Sequence, residues 1–181
     1  MSPRAVITIT VGLVLLVGLA FWPVQVVSLK LPKENNRRIT SMTAAEGDRI
    51  LLAYRHSVEL TAVEGHFQVG PQSEILALKT RMQSAGTGLP NTAHDRTEIR
   101  NGWIEVDEAR RPVGTIRFFF VPINQTRLVI AGQDIDLSAV EEGALLEISV
   151  ENRRLIQRVF DFLHSRRDLQ TSKTKTSHES K

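Results

Sequence analysis

The stretch between residues 24 and 150 alternates short apolar runs with turn-forming residues, and this pattern constrains the fold more than any other feature of the sequence. Each run has the length and the β-branched or aromatic content of a strand, and no long run with the 3.6-residue period of a helix lies among them. The predicted strands cover residues 24–31, 50–57, 63–69, 74–82, 103–106, 114–121, 126–131 and 144–150. The pattern therefore predicts a mainly β fold, an antiparallel sandwich or an open barrel of about eight strands.

The N-terminal segment indicates a membrane. Residues 5–29 carry no charged side chain, and residues 5–22 come close to the roughly 20 apolar residues that a helix needs to cross a bilayer. Pro23 would end such a helix. We therefore expect residues 1–23 to form a transmembrane anchor. A signal peptide cleaved after Ala20 is the alternative, because Gly18 and Ala20 occupy the small-residue positions of a cleavage site.

The expected location of the domain is the extracytoplasmic side of the cell membrane, on a single-pass anchor. Arg4 and the α-amino group favour a cytoplasmic N-terminus, whereas the basic residues between Lys30 and Arg38 oppose it. A large C-terminal domain translocates largely regardless of such charges. The β-rich domain is expected to span residues 24–150.

The C-terminal part of the sequence predicts a helix and then a polar tail. Over residues 151–164, apolar side chains recur at helical spacing after Asn152, a residue type favoured at helix N-caps. This amphipathic helix is expected to dock on the β core, with a membrane-surface helix as the alternative. Residues 165–181 are polar and basic and are expected to be disordered.

Charge and cysteine content exclude several classes of function. The formal net charge of +3 comes from residues 165–181, because the rest of the chain carries as many acidic as basic groups. A nucleic-acid partner is therefore excluded, since the surplus trails from a polar end instead of covering a folded face. The absence of cysteine excludes disulfides and zinc–thiolate sites.

A predicted hairpin over residues 54–67 contains several side chains of the types that bind ligands or take part in catalysis. They are His56, Ser57, Glu59, Glu64 and His66. Strand alternation places His56 on the face of Ile50 and Leu52, together with Val58, and directs Ser57 the opposite way, which excludes a nucleophile–base dyad of the two. Alternation also places Glu64 and His66 on one common face.

Two functional interpretations of this hairpin stay open beside a purely structural one. His56, Glu59, Glu64 and His66 could bind a small ligand or a metal, although no HExxH-type motif fixes their geometry and no cofactor is expected. In the structural interpretation, His56 is a hydrogen-bonded residue at the core edge that ties the hairpin to a neighbouring loop. Glu64 then accepts from turn N–H groups or pairs with Arg55.

A second distinctive stretch is the loop with the sequence GTGLP. Its residues Gly86, Gly88, Leu89 and Pro90 follow a predicted strand, but no phosphate-binding pattern is present and no helix opens next. The glycines could serve the backbone alone, by supplying positive φ or by allowing a close approach. A ligand or partner contact is the functional interpretation, because loops between strands often carry binding groups. Ser84, His94 and Asp95 have no activating context for hydrolysis, and the chain is not expected to be an enzyme.

These two stretches resemble the DUF1850 family, an uncharacterised bacterial and archaeal domain often encoded beside TAXI-type TRAP solute transporters. The matching residues are YRHSVE at 54–59, VE at 63–64 and GTGLP at 86–90, in the family's order. The resemblance covers roughly residues 5–150. Thr87 departs from the small or aliphatic residue common in the family, and the basic C-terminal segment has no counterpart.

The resemblance implies association with a transporter by gene neighbourhood only, and it does not imply a catalytic activity. The expected function is that of a membrane-anchored, extracytoplasmic accessory or assembly module of a TRAP transporter, in contact with its membrane subunits or its solute receptor. The expected contact residues are His56, Ser57, Glu59, Glu64, Gly86, Gly88, Leu89 and Pro90. The alternative is a small-ligand or metal sensor that uses His56, Glu59, Glu64 and His66.

Overall fold

The computed structural model describes residues 3–84 and 96–157, and within them the protein is mainly β. It contains one long helix and a 3₁₀ turn, and the remaining elements are strands. They are α1 (Pro3–Ala20), β1 (Pro23–Leu31), β2 (Arg37–Ala44), β3 (Arg49–Arg55), β4 (Ala62–Val69), β5 (Ile75–Met82), β6 (Arg96–Arg100), β7 (Trp103–Pro112), β8 (Ile116–Phe119), the 3₁₀ turn (Pro122–Asn124), β9 (Arg127–Ile130), β10 (Gln133–Asp134) and β11 (Leu145–Arg154).

The strands form two antiparallel sheets. One has four strands in the order β2-β1-β11-β8, and the other has seven in the order β10-β9-β3-β4-β5-β7-β6. Both sheets end in edge strands and neither closes on itself. The predicted mainly β, antiparallel sandwich is therefore confirmed, and the open-barrel alternative is wrong.

Strand alternation builds the core between the two sheets. In β3, Ile50 and Leu52 are buried while their neighbours are more exposed, and in β11 Leu146 and Ile148 are fully buried. Burying one such side chain contributes about 1.5–3 kcal/mol. The fully buried aliphatic residues that meet in this core are Val27 and Leu29 from the four-stranded sheet and Ile50, Val69, Ile75, Leu128 and Ile130 from the seven-stranded sheet.

All eight predicted runs contain a strand, and β2, β6 and β10 were missed. The sequence of β6 is RTEIR, and every residue in it is exposed. In β2 the sequence RRITSMTA has only one residue that is fully buried. All three missed strands lie at sheet edges, where little apolar surface is buried and the sequence carries no clear alternation.

The described residues of the terminal segments, 3–24 and 152–157, group as a compact unit separate from residues 25–151. In this unit, α1 covers the predicted N-terminal helix, and the N–H of Leu155 donates to the carbonyl of Trp22 at 3.0 Å. The guanidinium of Arg154 lies 5.1 Å from the centre of the Phe21 ring.

Two predictions about these segments need correction. Within residues 3–84 and 96–157, no helix meets the requirements of length and apolarity for crossing a bilayer, so the predicted transmembrane anchor is not supported. Asn152 lies in β11 and is not a helix N-cap, because the strand continues to Arg154 and the helical residues described begin at Leu155. The rest of the predicted 151–164 helix and the 165–181 tail lie outside the described residues.

Candidate contact surface at one end of the seven-stranded sheet

A six-residue turn, residues 56–61, joins β3 to β4 and contains the first predicted site. The N–H of His56 donates to the carbonyl of Thr61 at 2.8 Å, and the N–H of Leu60 donates to the carbonyl of His56 at 2.9 Å. Leu60 has φ +54°, in the left-handed region that costs an L-residue roughly 1–2 kcal/mol. The turn thus has one defined backbone conformation that includes a strained residue.

The His56 ring caps this turn. Its Nδ1 accepts from the N–H groups of Val58 and Glu59, each at 3.3 Å, and the Nε of Arg55 donates to the carbonyl of Leu60 at 2.8 Å. Because Nδ1 accepts, it carries no proton in this arrangement. His56 is therefore a hydrogen-bonded residue of the fold, as the structural interpretation held, but its partners lie in its own turn and not in a neighbouring loop.

The turn presents apolar side chains to solvent. Val58 is 79% exposed and Leu60 is 58% exposed. The expectation that Val58 continues the inner face of β3 was wrong, because the strand ends at Arg55 and alternation stops there. Ser57 and Glu59 are exposed in the same turn. His56, Ser57 and Glu59, three of the predicted contact residues, are thus grouped at this end of the sheet.

The start of the second predicted loop lies against this turn. The hydroxyl of Ser84 donates to Oε2 of Glu59 at 3.2 Å. The N–H of Ala62 donates to Oε1 of Gln83 at 3.2 Å, and the N–H of Gln83 donates to the carbonyl of Ala62 at the same distance. The two stretches therefore meet where β5 ends. Gly86, Gly88, Leu89 and Pro90 lie outside the described residues.

The 3₁₀ turn adds a third apolar side chain. Pro122–Asn124 contacts β3 and precedes β9, in which Arg127 lies opposite Ala53, close to the end of β3. Ile123 is 78% exposed. We define the sheet-end patch as Val58, Leu60 and Ile123, because all three aliphatic side chains are carried by connections at this end of the seven-stranded sheet.

Glu64 and His66 share the outer face of β4, as alternation predicted. Their side chains are 3.0 Å apart, from Nε2 to Oε2. Arg81 donates to Glu64 Oε2 at 2.8 Å and, through Nε, to Glu105 Oε1 at 3.0 Å. Arg81 rather than Arg55 is therefore the ion-pair partner of Glu64, and the Glu64 carboxylate is engaged on the sheet face.

Glu105 is the anionic centre of this outer face. Its carboxylate accepts from Lys79 at 2.9 Å and from Arg81, and the hydrogen bond from Lys79 is the largest cause that lowers its pKa from the ordinary value. Sequence reasoning missed Lys79, Arg81 and Glu105. Their alternate positions in two predicted strands, with opposite charges, were the signal that could have identified them.

The four residues proposed for a ligand or metal do not form one cluster. His56 and Glu59 are bonded within the turn or to Ser84, whereas Glu64 and His66 bond each other on the sheet face. Across the described ranges, there is no group of three or more His, Cys, Asp or Glu side chains arranged to hold a metal ion.

Comparison with known proteins agrees with the predicted family. The model of the family described as "Domain of unknown function (DUF1850)" matches residues 50–137. The match begins in β3 and contains the turn with the sheet-end patch, so it covers nearly all of the seven-stranded sheet. No curated protein matches the chain, and no solved structure matches it.

Proposed function

We propose that this chain, whose residues 50–137 match the model of the DUF1850 family, is a non-catalytic accessory module that docks on a TAXI-type TRAP solute transporter. The docking surface is the sheet-end patch of Val58, Leu60 and Ile123 with the polar rim of Ser57 and Glu59. The choice of a transporter as the partner rests on the resemblance to the family.

The observation that carries the docking role is the exposure of aliphatic side chains on a turn with a fixed conformation. Four hydrogen bonds that involve His56 hold the turn, and Val58 nevertheless has 79% of its surface exposed to water. Burying a Val or Leu side chain contributes about 1.5–3 kcal/mol. A preorganised turn loses little conformational entropy when it binds, so this gain is available for association.

The rim supplies a polar partner for the transporter subunit. Glu59 accepts one hydrogen bond from Ser84, which leaves further lone pairs on a solvent-exposed carboxylate. A cationic side chain on the partner would match Glu59 and would steer association. The proposed partner surface therefore has an apolar centre with a basic group at its margin.

The non-catalytic role is supported by the state of His56. Its Nδ1 already accepts two backbone N–H groups, so this nitrogen does not serve as a base for the neighbouring Ser57.

The proposed location is the extracytoplasmic side of the cell membrane, and protease accessibility in intact and permeabilised cells tests it.

The test of the function is affinity purification of the C-terminally tagged full-length chain from detergent-solubilised native membranes, followed by mass spectrometry. The proposal expects TRAP membrane subunits or their solute receptor among the bound proteins. Recovery of the chain alone, or as an oligomer of itself, contradicts it. A functional arm measures solute uptake, which H56A should reduce in cells that retain normal levels of the protein, because His56 holds the turn that carries the patch.

A further inference from the structure

A kink in the seven-stranded sheet creates a concavity on its outer face, away from the sheet-end patch. On the β4 side, His66 pairs with Lys79 and Phe67 pairs with Ala77, so Leu78 has no partner in β4. On the β7 side, the register also shifts across Leu78, between Ala77 and Lys79. The sheet is therefore bulged at Leu78 on both sides, and β-bulges bend strands and redirect side chains at functional sites.

The bulge on β7 is strained and well anchored. Ala109 and Arg110 have φ values of +50° and +58°, which place two consecutive non-glycine residues in the left-handed region. Oδ1 of Asp107 accepts from the N–H of Ala109 at 2.9 Å. The nearly buried Glu108 accepts from Thr80 at 3.0 Å and from Arg111 at 2.6 Å. Such strain persists only where the surrounding contacts enforce it, and it concentrates at functional sites.

The concavity holds about 370 Å³ and has a cationic surplus. Arg49, Lys79 and Arg81 line it together with the carboxylates of Glu105 and Asp107. Arg81 donates to Glu105 and also to Glu64, and its guanidinium lies 4.4 Å from the centre of the Trp103 ring. The Arg81–Glu105 ion pair therefore carries no net charge, and we do not assign it a role in binding a ligand.

Two cations retain donors that the protein does not use. The guanidinium of Arg49 makes no hydrogen bond or ion pair to any residue in the described part of the chain. Lys79 donates to Glu105, and an ammonium group has three N–H donors. His66 also lines the concavity, with its Nε2 held by Glu64. The planar fork of an arginine matches the oxygens of a carboxylate or phosphate.

We propose that this concavity binds a small oxyanion, the carboxylate of an organic acid or a phosphate, through the Arg49 guanidinium and the Lys79 ammonium group. Leu78 and the neutral Arg81–Glu105 pair form the sides of the site. This site is independent of the docking surface, because its donors lie on the sheet face and not in the turn.

The test is isothermal titration of the full-length chain in detergent with inorganic phosphate and with malonate, at constant ionic strength set by chloride. Saturable binding of either anion supports the site. The anion that binds shows whether the site accepts a phosphate or the carboxylate of an organic acid. R49Q and K79Q should each weaken binding about tenfold or more, since each removes a charge-assisted hydrogen bond.

The matched control is R117Q, which removes the same charge from the four-stranded sheet, where Arg117 pairs with Glu147. It should leave the affinity within about twofold of the original chain, a change far smaller than one charge-assisted contact produces. Absence of saturable binding by both anions overturns the proposal. So does equal affinity in R49Q and R117Q, provided that far-ultraviolet circular dichroism shows both variants folded.

Discussion

The hydroxyl of Ser84 lies 3.2 Å from Oε2 of Glu59, although 25 residues separate the two in the chain. The contact joins the turn after β3 to the point where β5 ends, because β4 brings the chain back between them. The turn that contains HSVE and the residue Ser84, which precedes the GTGLP sequence, therefore lie at one end of one sheet.

Replacing His56 with alanine should destabilise the domain by about 1 kcal/mol, the usual cost of removing a side-chain cap from backbone N–H groups. The loss arises because Val58 and Glu59 no longer donate to Nδ1. Urea denaturation measures it. H56N should retain part of the stability, since an asparagine oxygen can accept from the same groups, and equal stability of H56A and the original chain would show that the cap contributes nothing.

Replacing Leu60 with glycine should separate folding from docking. Glycine adopts the φ of +54° without the penalty of an L-residue, so the free energy of unfolding should rise by roughly 0.5–1 kcal/mol relative to L60A. Both variants remove the exposed side chain and should weaken docking alike. A lower denaturation midpoint for L60G than for L60A would contradict the assigned backbone strain.

Gly65 should not tolerate a larger side chain. A Cβ at this position would lie 2.7 and 2.9 Å from two carbons of the Phe67 ring, which packs against the core. G65A should therefore lower the free energy of unfolding by roughly 1–3 kcal/mol, as overpacking does. The double variant G65A/F67L should cost less than the sum of the two single changes, and strict additivity in denaturation would argue against the contact.

Glu105 should make stability depend on pH in the acidic range. Lys79 and Arg81 lower its pKa in the folded state, so the folded state favours the carboxylate more than the unfolded state does. The resulting stability is present above the ordinary pKa of a glutamate and is lost as the pH falls through the lowered folded pKa.

The measurement is the pH dependence of the denaturation midpoint for the original chain and for E105Q. The difference between the two should shrink as the solution is acidified. E142Q removes the same charge from an exposed turn between β10 and β11 and serves as the control. A difference for E105Q that grows toward acid pH would reverse the assigned sign.

The sequence predicted those parts of the fold that depend on apolar burial. The runs that became β1, β3, β4, β5, β9 and β11 each place side chains in the core, and alternation correctly placed Glu64 beside His66. It did not reveal β6, whose five residues are all exposed. At an edge strand the backbone pairing stabilises the element and leaves no hydrophobic period to read.

The candidate site likewise has features that the sequence predicted and features that it did not. Alternation carried beyond Arg55 placed Val58 on the inner face, but the capping bonds to His56 end the strand and turn Val58 into solvent. A local side-chain bond that competes with strand continuation is hard to infer from residue types. The Arg81–Glu64 pair was also missed, because it depends on the register between two strands and not on either strand alone.

One pair of substitutions tests whether the sheet-end patch docks on a partner. V58D and I99D each place a carboxylate at an aliphatic position that is about 80% exposed, at 79% and 81%. Ile99 lies in β6, four strand positions from β3 and thus about 19 Å across the sheet. Neither change buries a charge, so both variants should fold.

The measurement is quantitative mass spectrometry of transporter subunits that co-purify with the tagged full-length chain from native membranes. V58D should reduce their recovery at least about tenfold, the equivalent of roughly 1.4 kcal/mol of lost binding, whereas I99D should leave it unchanged. Equal recovery with V58D and with the original chain would contradict docking through this surface.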